Sequence, residues 1–404
     1  MTPDTPCRRA RSCIQATLVA VLAFGSGHAA IADSLGPGTC AIRSDAPAAI
    51  ALRLDALLGG VMAGLDPVSD PGAVLSVSGQ GWRYVRAIGM ADPDSGLAVD
   101  CAMPFQIGSN TKMMTATVIL QLHEEGRLSV GDPLSLHLPD IAARLPHGDA
   151  ITIRQLLQHT SGVFSYTDPA PDGTSGIAMA SATDPAAMRR GVTPQEMVDI
   201  AIDHGRPTFA PGAPGQWHYS NTGYVLLGMV IEQIEGLALD KSFENRIFQP
   251  LGMTRSYLWD GIPRAAFGLP RSWLKPPFDY ETTEWNVSQS WAAGGVISTA
   301  DDMHRFIDAL ARGELFADPA MLALMQQTVP SPIPGTSDYG LGLIRIDGDV
   351  WGHGGATLAF ISAIGASAGQ DVSFVVWANA AASPVGMIAP AIITALQETG
   401  MTEP

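Results

Sequence analysis

Apolar residues between Ala49 and Leu65 fall at Ile50, Leu54, Leu57, Leu58, Val61 and Leu65, a helical stripe. Val74-Leu75-Ser76-Val77 and Trp82-Arg83-Tyr84-Val85 flank Ser78-Gly79-Gln80-Gly81, which predicts a β-hairpin. Met113 to Leu122 is apolar nearly all round, so a helix from Ser109 to Gly126 should be buried in the core of a large domain. Strand alternation is then weak for a long way. Thr152 caps a short helix ending near His159, and Thr193-Pro194-Gln195-Glu196 is a capping box with proline in the first turn. Tyr224 to Ile234 is another apolar helix, ending near Gly236, whereas Ala170 to Asp184, rich in Pro, Gly, Ser and Asp, has the composition of a surface loop. A capped helix from Thr299 to Leu310 leads into strand candidates at Tyr339–Ile346, Thr357–Gly365 and Val372–Ala378, and a helix from Pro384 to Gln397 closes the chain.

Strands therefore gather at the two ends and helices in the middle. The order predicts an α/β fold: a sheet domain built from residues 33–126 and 285–404, with a mainly helical domain, 127–284, inserted between. No internal repeat occurs. A length of 404 residues, with 46% hydrophobic and 15% charged residues, suits one large or two closely joined globular domains.

Arg8, Arg9 and Arg11 precede an apolar run from Ile14 to Phe24, and small residues end at Ala30-Ile31-Ala32. This predicts a secretory signal peptide, residues 1–32, cleaved before Asp33, and hence an exported, periplasmic or secreted, protein. The run is too short to span a bilayer, and no later run reaches spanning length. Cys7 and Cys13 leave with the leader, so Cys40 and Cys101 are expected to pair in an oxidising compartment. Closing that loop would stabilise the fold by about 4 kcal/mol in the chain-entropy view. The net charge of −16, with no basic cluster outside the leader, argues against nucleic acid or an anionic membrane as partner. A monomer acting on a small-molecule or peptide substrate is expected.

Chemistry concentrates at Ser109 and Lys112. A hydroxyl and an amine three positions apart on a helix share one face. A neutral lysine there can take the serine's proton, and arginine could not, because a guanidinium does not deprotonate. Of the 23 basic residues only Lys112, Lys241 and Lys275 are lysines. The same spacing recurs at Ser272 and Lys275, but Pro276 and Pro277 follow and argue against a helix. A second rival, Gly365-Ala366-Ser367-Ala368-Gly369, fits a nucleophile elbow; a strand follows it and no histidine occurs after His353, so it should be a hairpin turn. Two further elements come in order after Ser109. Tyr219-Ser220-Asn221 precedes the Tyr224 helix, and His353-Gly354-Gly355 precedes the Thr357 strand.

With S-x-x-K, Y-x-N and H-x-G in this order, the chain resembles the serine acyl-transferases of penicillin-recognising fold. These include D-alanyl-D-alanine carboxypeptidases, class C β-lactamases, D-aminopeptidases and related esterases. Ile151 to Gly162, Ile247 to Met253, Ala293 to Ser298 and Tyr339 to Leu343 are similar to that family too, and the likeness spans roughly the whole mature chain. The resemblance implies a β-lactamase/transpeptidase-like fold, an antiparallel sheet flanked by terminal helices plus an all-helical domain. It also implies Ser109 as acylated nucleophile, Lys112 as its base, Tyr219 as proton shuttle and Asn221 as partner of substrate amide or lysine. His353, Gly354 and Gly355 would line the cleft, and the amides of Ser109 and Ala356 would form the oxyanion hole. No metal or cofactor is implied.

Departures concern the substrate. Where the carboxypeptidase branch holds a terminal carboxylate with threonines and an arginine, this chain has Gly354, Ala356 and Ile344, with Arg345 one step on and expected to point away. A D-alanyl-D-alanine carboxypeptidase or β-lactamase-like hydrolase of D-amino-acid peptides or β-lactam-like amides is the leading expectation. A carboxylesterase of the same fold and a non-catalytic penicillin-binding sensor are the alternatives.

Overall fold

The computed structural model describes residues 45–61, 71–259, 268–274, 280–334, 336, 338–381 and 388–399. The leader, Cys40, Lys275, Pro384 and the 62–65 end of the first predicted helix lie outside them.

An eight-stranded antiparallel sheet forms the frame. Its strands are β1 (Ala73–Gly79), β2 (Trp82–Ile88), β3 (Val329–Pro330), β4 (Asp338–Tyr339), β5 (Ile344–Asp347), β6 (Val350–Ala356), β7 (Ile361–Ser367) and β8 (Val372–Ala378). They lie in the order β3-β4-β5-β6-β7-β8-β1-β2, so the N-terminal hairpin completes a sheet begun by the C-terminal third. Alternation explains the two covered faces. Leu75, Val77, Phe374 and Val376 point to one side, where they pack with α1 (Ala48–Val61) and α5 (Ile388–Glu398). Val74, Val375 and Trp377 point to the other, toward the larger core shared with α2 (Thr111–Glu124), α3 (Asn221–Glu235) and α4 (Ala300–Ala311). Both faces are covered, so β8 is buried along its whole length.

Helix α2 is buried on every side, as its apolar run requires. The capping boxes at Thr152 and Thr193 are present, and Gly236 ends α3 in the left-handed region at φ 68°. Three expectations need correction. Residues 170–184 are not all loop: Ile177–Thr183 is a helix, a stretch free of glycine and proline and rich in alanine, with Ser181 and Ala182 buried. The strand candidate Tyr339–Ile346 is broken in two, with Gly342 at φ +75° between β4 and β5. His353 lies inside β6, not before a strand. The stretch after it, Thr357 to Phe360, is a turn in which Thr357 Oγ1 accepts from the Ala359 and Phe360 amides. Glycines hide β6 from pattern reading because they contribute no alternation. Two other expectations hold: Trp273–Leu274 is a short strand and not a helix, which removes Ser272 as a helical nucleophile. Ser367 ends β7 at a hairpin, where its hydroxyl donates to Asp349. Cys101 is disulfide-bonded.

Candidate active site

Ser109 sits in a single 3₁₀ turn, Gly108–Asn110, that leads into α2. Several bonds fix this turn. Ile107 N donates to Val296 O at 3.0 Å, Val296 N donates to Thr111 Oγ1 at 3.2 Å, and Asn110 Nδ2 donates to Ile107 O at 2.7 Å and Ser362 Oγ at 2.9 Å. The turn presses against β6. A Cβ on Gly108, which has φ +55°, would stand 2.8 Å from Ala356 N. Glycine is required there both for the backbone angle and for the approach. Ser109 itself is half-buried and reachable.

Lys112 is fully buried one turn along. Its Nζ lies 2.7 Å from Asn221 Oδ1, 2.7 Å from Ala293 O and 3.1 Å from Ser109 Oγ. The first two are acceptors only. A neutral amine has two N–H groups, so both are committed and its lone pair is left for the serine hydroxyl. Burial alone pushes the Lys112 pKa well below its ordinary 10.5, and no carboxylate among the described residues bonds Nζ to hold the proton on. The stereochemistry of the bonds and the energetics of burial thus agree on a free base.

Asn221, the first residue of α3, is itself oriented. Its Nδ2 donates to Thr167 Oγ1 at 3.0 Å and its amide to Ser165 Oγ at 3.1 Å. Ala293 belongs to the short helix Trp291–Gly294, which starts from Trp291 at φ +32°, an unusual angle for a bulky residue. The phenol of Tyr219 hydrogen-bonds Ser109, and its ring centroid is 4.7 Å from Lys112 Nζ. Burial raises the Tyr219 pKa, so the phenol keeps its proton.

His353 does not line an open cleft. It is buried behind Tyr219, ring centroids 6.3 Å apart, with Nδ1 against Gly354 O and Nε2 3.1 Å from Tyr339 Oη. Burial lowers its pKa to about 3, and a proton on Lys112 would lower it in the same direction, so it is neutral at physiological pH. Gly354 and Gly355 also separate. Gly354 has space on its Cβ side, where Ser362 O at 3.9 Å is the nearest atom, but a Cβ on Gly355 would meet Ile107 O at 2.0 Å and Asn110 Nδ2 at 2.5 Å. Gly355 therefore permits close packing of β6 on the serine turn rather than contact with substrate. Gly355→Ala should force that strand off the turn and cost about 1–3 kcal/mol, readable as a lower melting temperature together with lost turnover.

Register places Ile344 opposite Gly352 and Arg345 opposite Trp351, so Ile344 shares a sheet face with Gly354 and Ala356. Arg345 lies on the other face, exposed, with Nε donating to Gly348 O at 2.9 Å. The expectation that it points away from the Gly354–Ala356 face holds. Ser165, Thr167, Ala293 and Tyr339 complete the site and escaped sequence reasoning. A backbone carbonyl leaves no residue-type signal, and hydroxyls in a loop are too common to single out.

Comparison with known proteins agrees with this geometry. Residues 64–397 match the family model described as Beta-lactamase. The chain is 28% identical, over 67% of its length, to the putative penicillin-binding protein PbpX of Bacillus subtilis (strain 168), and spans 60% of that protein. Among solved structures, the D-stereospecific amidohydrolase from a Streptomyces species is 31% identical with a TM-score of 0.69, the likeness covering 87% of this chain and 99% of that one. The D-amino acid amidase from Ochrobactrum anthropi SV3 is 25% identical with a TM-score of 0.73, covering 87% and 98%. The chain therefore belongs to the beta-lactamase family, the serine hydrolases of penicillin-binding and β-lactamase type.

Proposed function

We propose that the protein is an exported hydrolase that passes through an acyl-enzyme on Ser109 and acts on amides and short peptides of D-amino acids. The observation that carries the mechanism is Lys112, buried, with both N–H groups committed and its lone pair facing Ser109 Oγ. As Oγ attacks the substrate carbonyl carbon, its proton passes to Lys112 and the carbonyl oxygen becomes an oxyanion. Backbone amides of Ser109 and Ala356 would stabilise that charge, typically worth ~10²–10³ in rate for each donor. Collapse breaks the C–N bond, and Tyr219 delivers a proton to the departing nitrogen, reprotonated in turn from Lys112. Water then attacks the acyl-serine ester, losing a proton to the same pair, and the acid leaves as Ser109 Oγ regains its own.

The substrate class rests on the neutral residues Ile344, Gly354 and Ala356 at the places where the family resemblance implies carboxylate-binding side chains. A free terminal carboxylate would lack a charge-assisted partner there, a loss of roughly 1.5–3 kcal/mol, whereas an amide needs none. The two amidohydrolase structures of similar fold support the same direction. D-phenylalanine amide should exceed both L-phenylalanine amide and a D-alanyl-D-alanine peptide in kcat/KM by tenfold or more. Preference for the carboxylate-bearing peptide would defeat this substrate assignment. Equal indifference to all three, with rapid turnover of short acyl esters, would select the carboxylesterase reading, which the same neutral residues also favour.

The pH profile follows from the directions of the shifts. Because Lys112 is depressed below 10.5, its base form persists to lower pH, and kcat/KM should show one acid limb where that lysine finally protonates. Because Tyr219 is raised above 10.0, no alkaline loss from the phenol should occur up to that pH. Stability responds to Lys112 as well. Between its folded and unfolded values the unfolded chain binds more protons, so this contribution grows as pH rises toward 10.5 and is lost as pH falls. Chemical denaturation of wild type and Lys112→Met across that window would check the slope.

A further inference from the structure

His159 occupies a position that the mechanism has not used. It is buried, lies just beyond the helix Ile153–Leu157, and takes φ +61°, rare for a residue with a ring. Strained angles of this kind persist where the surroundings over-determine them. Here the surroundings are the segment that carries Tyr219. His218 N donates to His159 O at 3.0 Å, and Ser220 N donates to His159 Nδ1 at 3.1 Å. The amides on either side of Tyr219 are thus held by one residue. Between them the Tyr219 ring lies on the His159 ring, centroids 4.3 Å apart at 36°. Tyr339, Tyr224 and Trp217 pack round the same imidazole at 4.8, 5.3 and 5.4 Å.

We propose that His159 is a positioning residue that fixes the Tyr219 phenol against Ser109, acting through the two amide hydrogen bonds and the stacked rings. The proposal rests on the reading of Tyr219 as proton carrier. It requires a neutral imidazole, because a protonated Nδ1 cannot accept from Ser220 N. The groups facing His159 keep it so: burial pushes its pKa well below 6.5, a proton on Lys112 or His353 would push it the same way, and the other neighbours are His218 and the phenols of Tyr219, Tyr224 and Tyr339. With Nδ1 accepting, the proton is on Nε2, which has no hydrogen-bond partner among the described residues. Only the acceptor and the ring face are in use.

That division suggests the variants. His159→Gly removes the ring yet adopts φ +61° without strain and keeps the backbone bond to His218. His159→Asn tolerates the same angle and restores a side-chain acceptor. Displacement of a reacting group by about 1 Å can cost ~10²-fold, so His159→Gly should lower kcat for D-phenylalanine amide, whose leaving nitrogen must be protonated, by ten- to a hundredfold with KM little changed. His159→Asn should recover most of that loss. In the Tyr219→Phe background, His159→Gly should cost less than about twofold, because there is no phenolic proton left to misplace. If Tyr219→Phe alone leaves turnover unchanged, the role of Tyr219 falls and this proposal with it. If Tyr219→Phe is impaired and His159→Gly still exacts its full cost on top, His159's part alone is overturned. An Asn variant no better than the Gly variant also overturns it. Should His159→Gly not fold, the cycle is run with His159→Asn: wild-type turnover, or a loss that vanishes in the Tyr219→Phe background, supports the proposal, and an equal loss in both backgrounds overturns it.

Discussion

Ser109→Ala and Lys112→Arg should each lower turnover by roughly 10⁶-fold, and the double variant should be no worse than either, because a nucleophile and its base act as a unit. Removing Ser109 removes the atom that forms the new bond. Replacing Lys112 with arginine puts a permanent cation where the neutral amine stood, and a guanidinium cannot take the serine's proton. The arginine variant carries a second cost. Lys112 is fully buried and has no carboxylate partner among the described residues, so a permanent charge there should destabilise the fold by about 3–5 kcal/mol. Lys112→Met separates the two effects. It places no charge in the interior and leaves Asn221 Oδ1 and Ala293 O without a donor, a penalty of about 1–3 kcal/mol each. It should still fold and still be inactive. Thermal unfolding alongside turnover reads both quantities, and a Lys112→Met protein retaining more than a hundredth of wild-type kcat would exclude lysine as the base.

Tyr219→Phe is the second large effect, expected at 10²–10⁴-fold in kcat. The ring, its stacking on His159 and its contact with Lys112 are kept, so binding and stability should change little. Only the hydroxyl that meets Ser109 is lost. The loss should depend on the leaving group. An alkylamine must be protonated as it departs, whereas p-nitrophenolate leaves as an anion. Amide turnover should therefore fall further than p-nitrophenyl ester turnover in this variant. Equal losses on both would place Tyr219 outside leaving-group protonation.

Much of the fold was legible because periodicity reports burial. The hairpin at Ser78–Gly81, the all-round apolar helix after Ser109, the cap at Thr152 and the capping box at Thr193 all formed as their patterns required. The failures share a cause. Strand β6 carries His353 but is built from glycines that let it touch the serine turn, so the residues most constrained by packing show no pattern at all. The helix at Ile177–Thr183 follows a proline- and glycine-rich stretch whose composition overshadowed it. Within the site, Ser109 and Lys112 could be found from spacing, and Tyr219 and Asn221 from their order after that pair and the family resemblance. The carbonyl of Ala293 and the hydroxyls of Ser165 and Thr167 could not, because what matters in them is where the chain brings them. The resemblance implied His353 as a cleft wall, and order along the chain does not tell such a wall from a buried support.

Intact-mass measurement after rapid mixing with p-nitrophenyl acetate and, separately, benzylpenicillin, followed by peptide mapping, bears most directly on the acyl-enzyme. Wild-type protein should gain the mass of one acyl group on the peptide containing Ser109, and Ser109→Ala should gain none. An adduct of equal yield in Ser109→Ala, or steady turnover by that variant, would contradict a mechanism centred on Ser109.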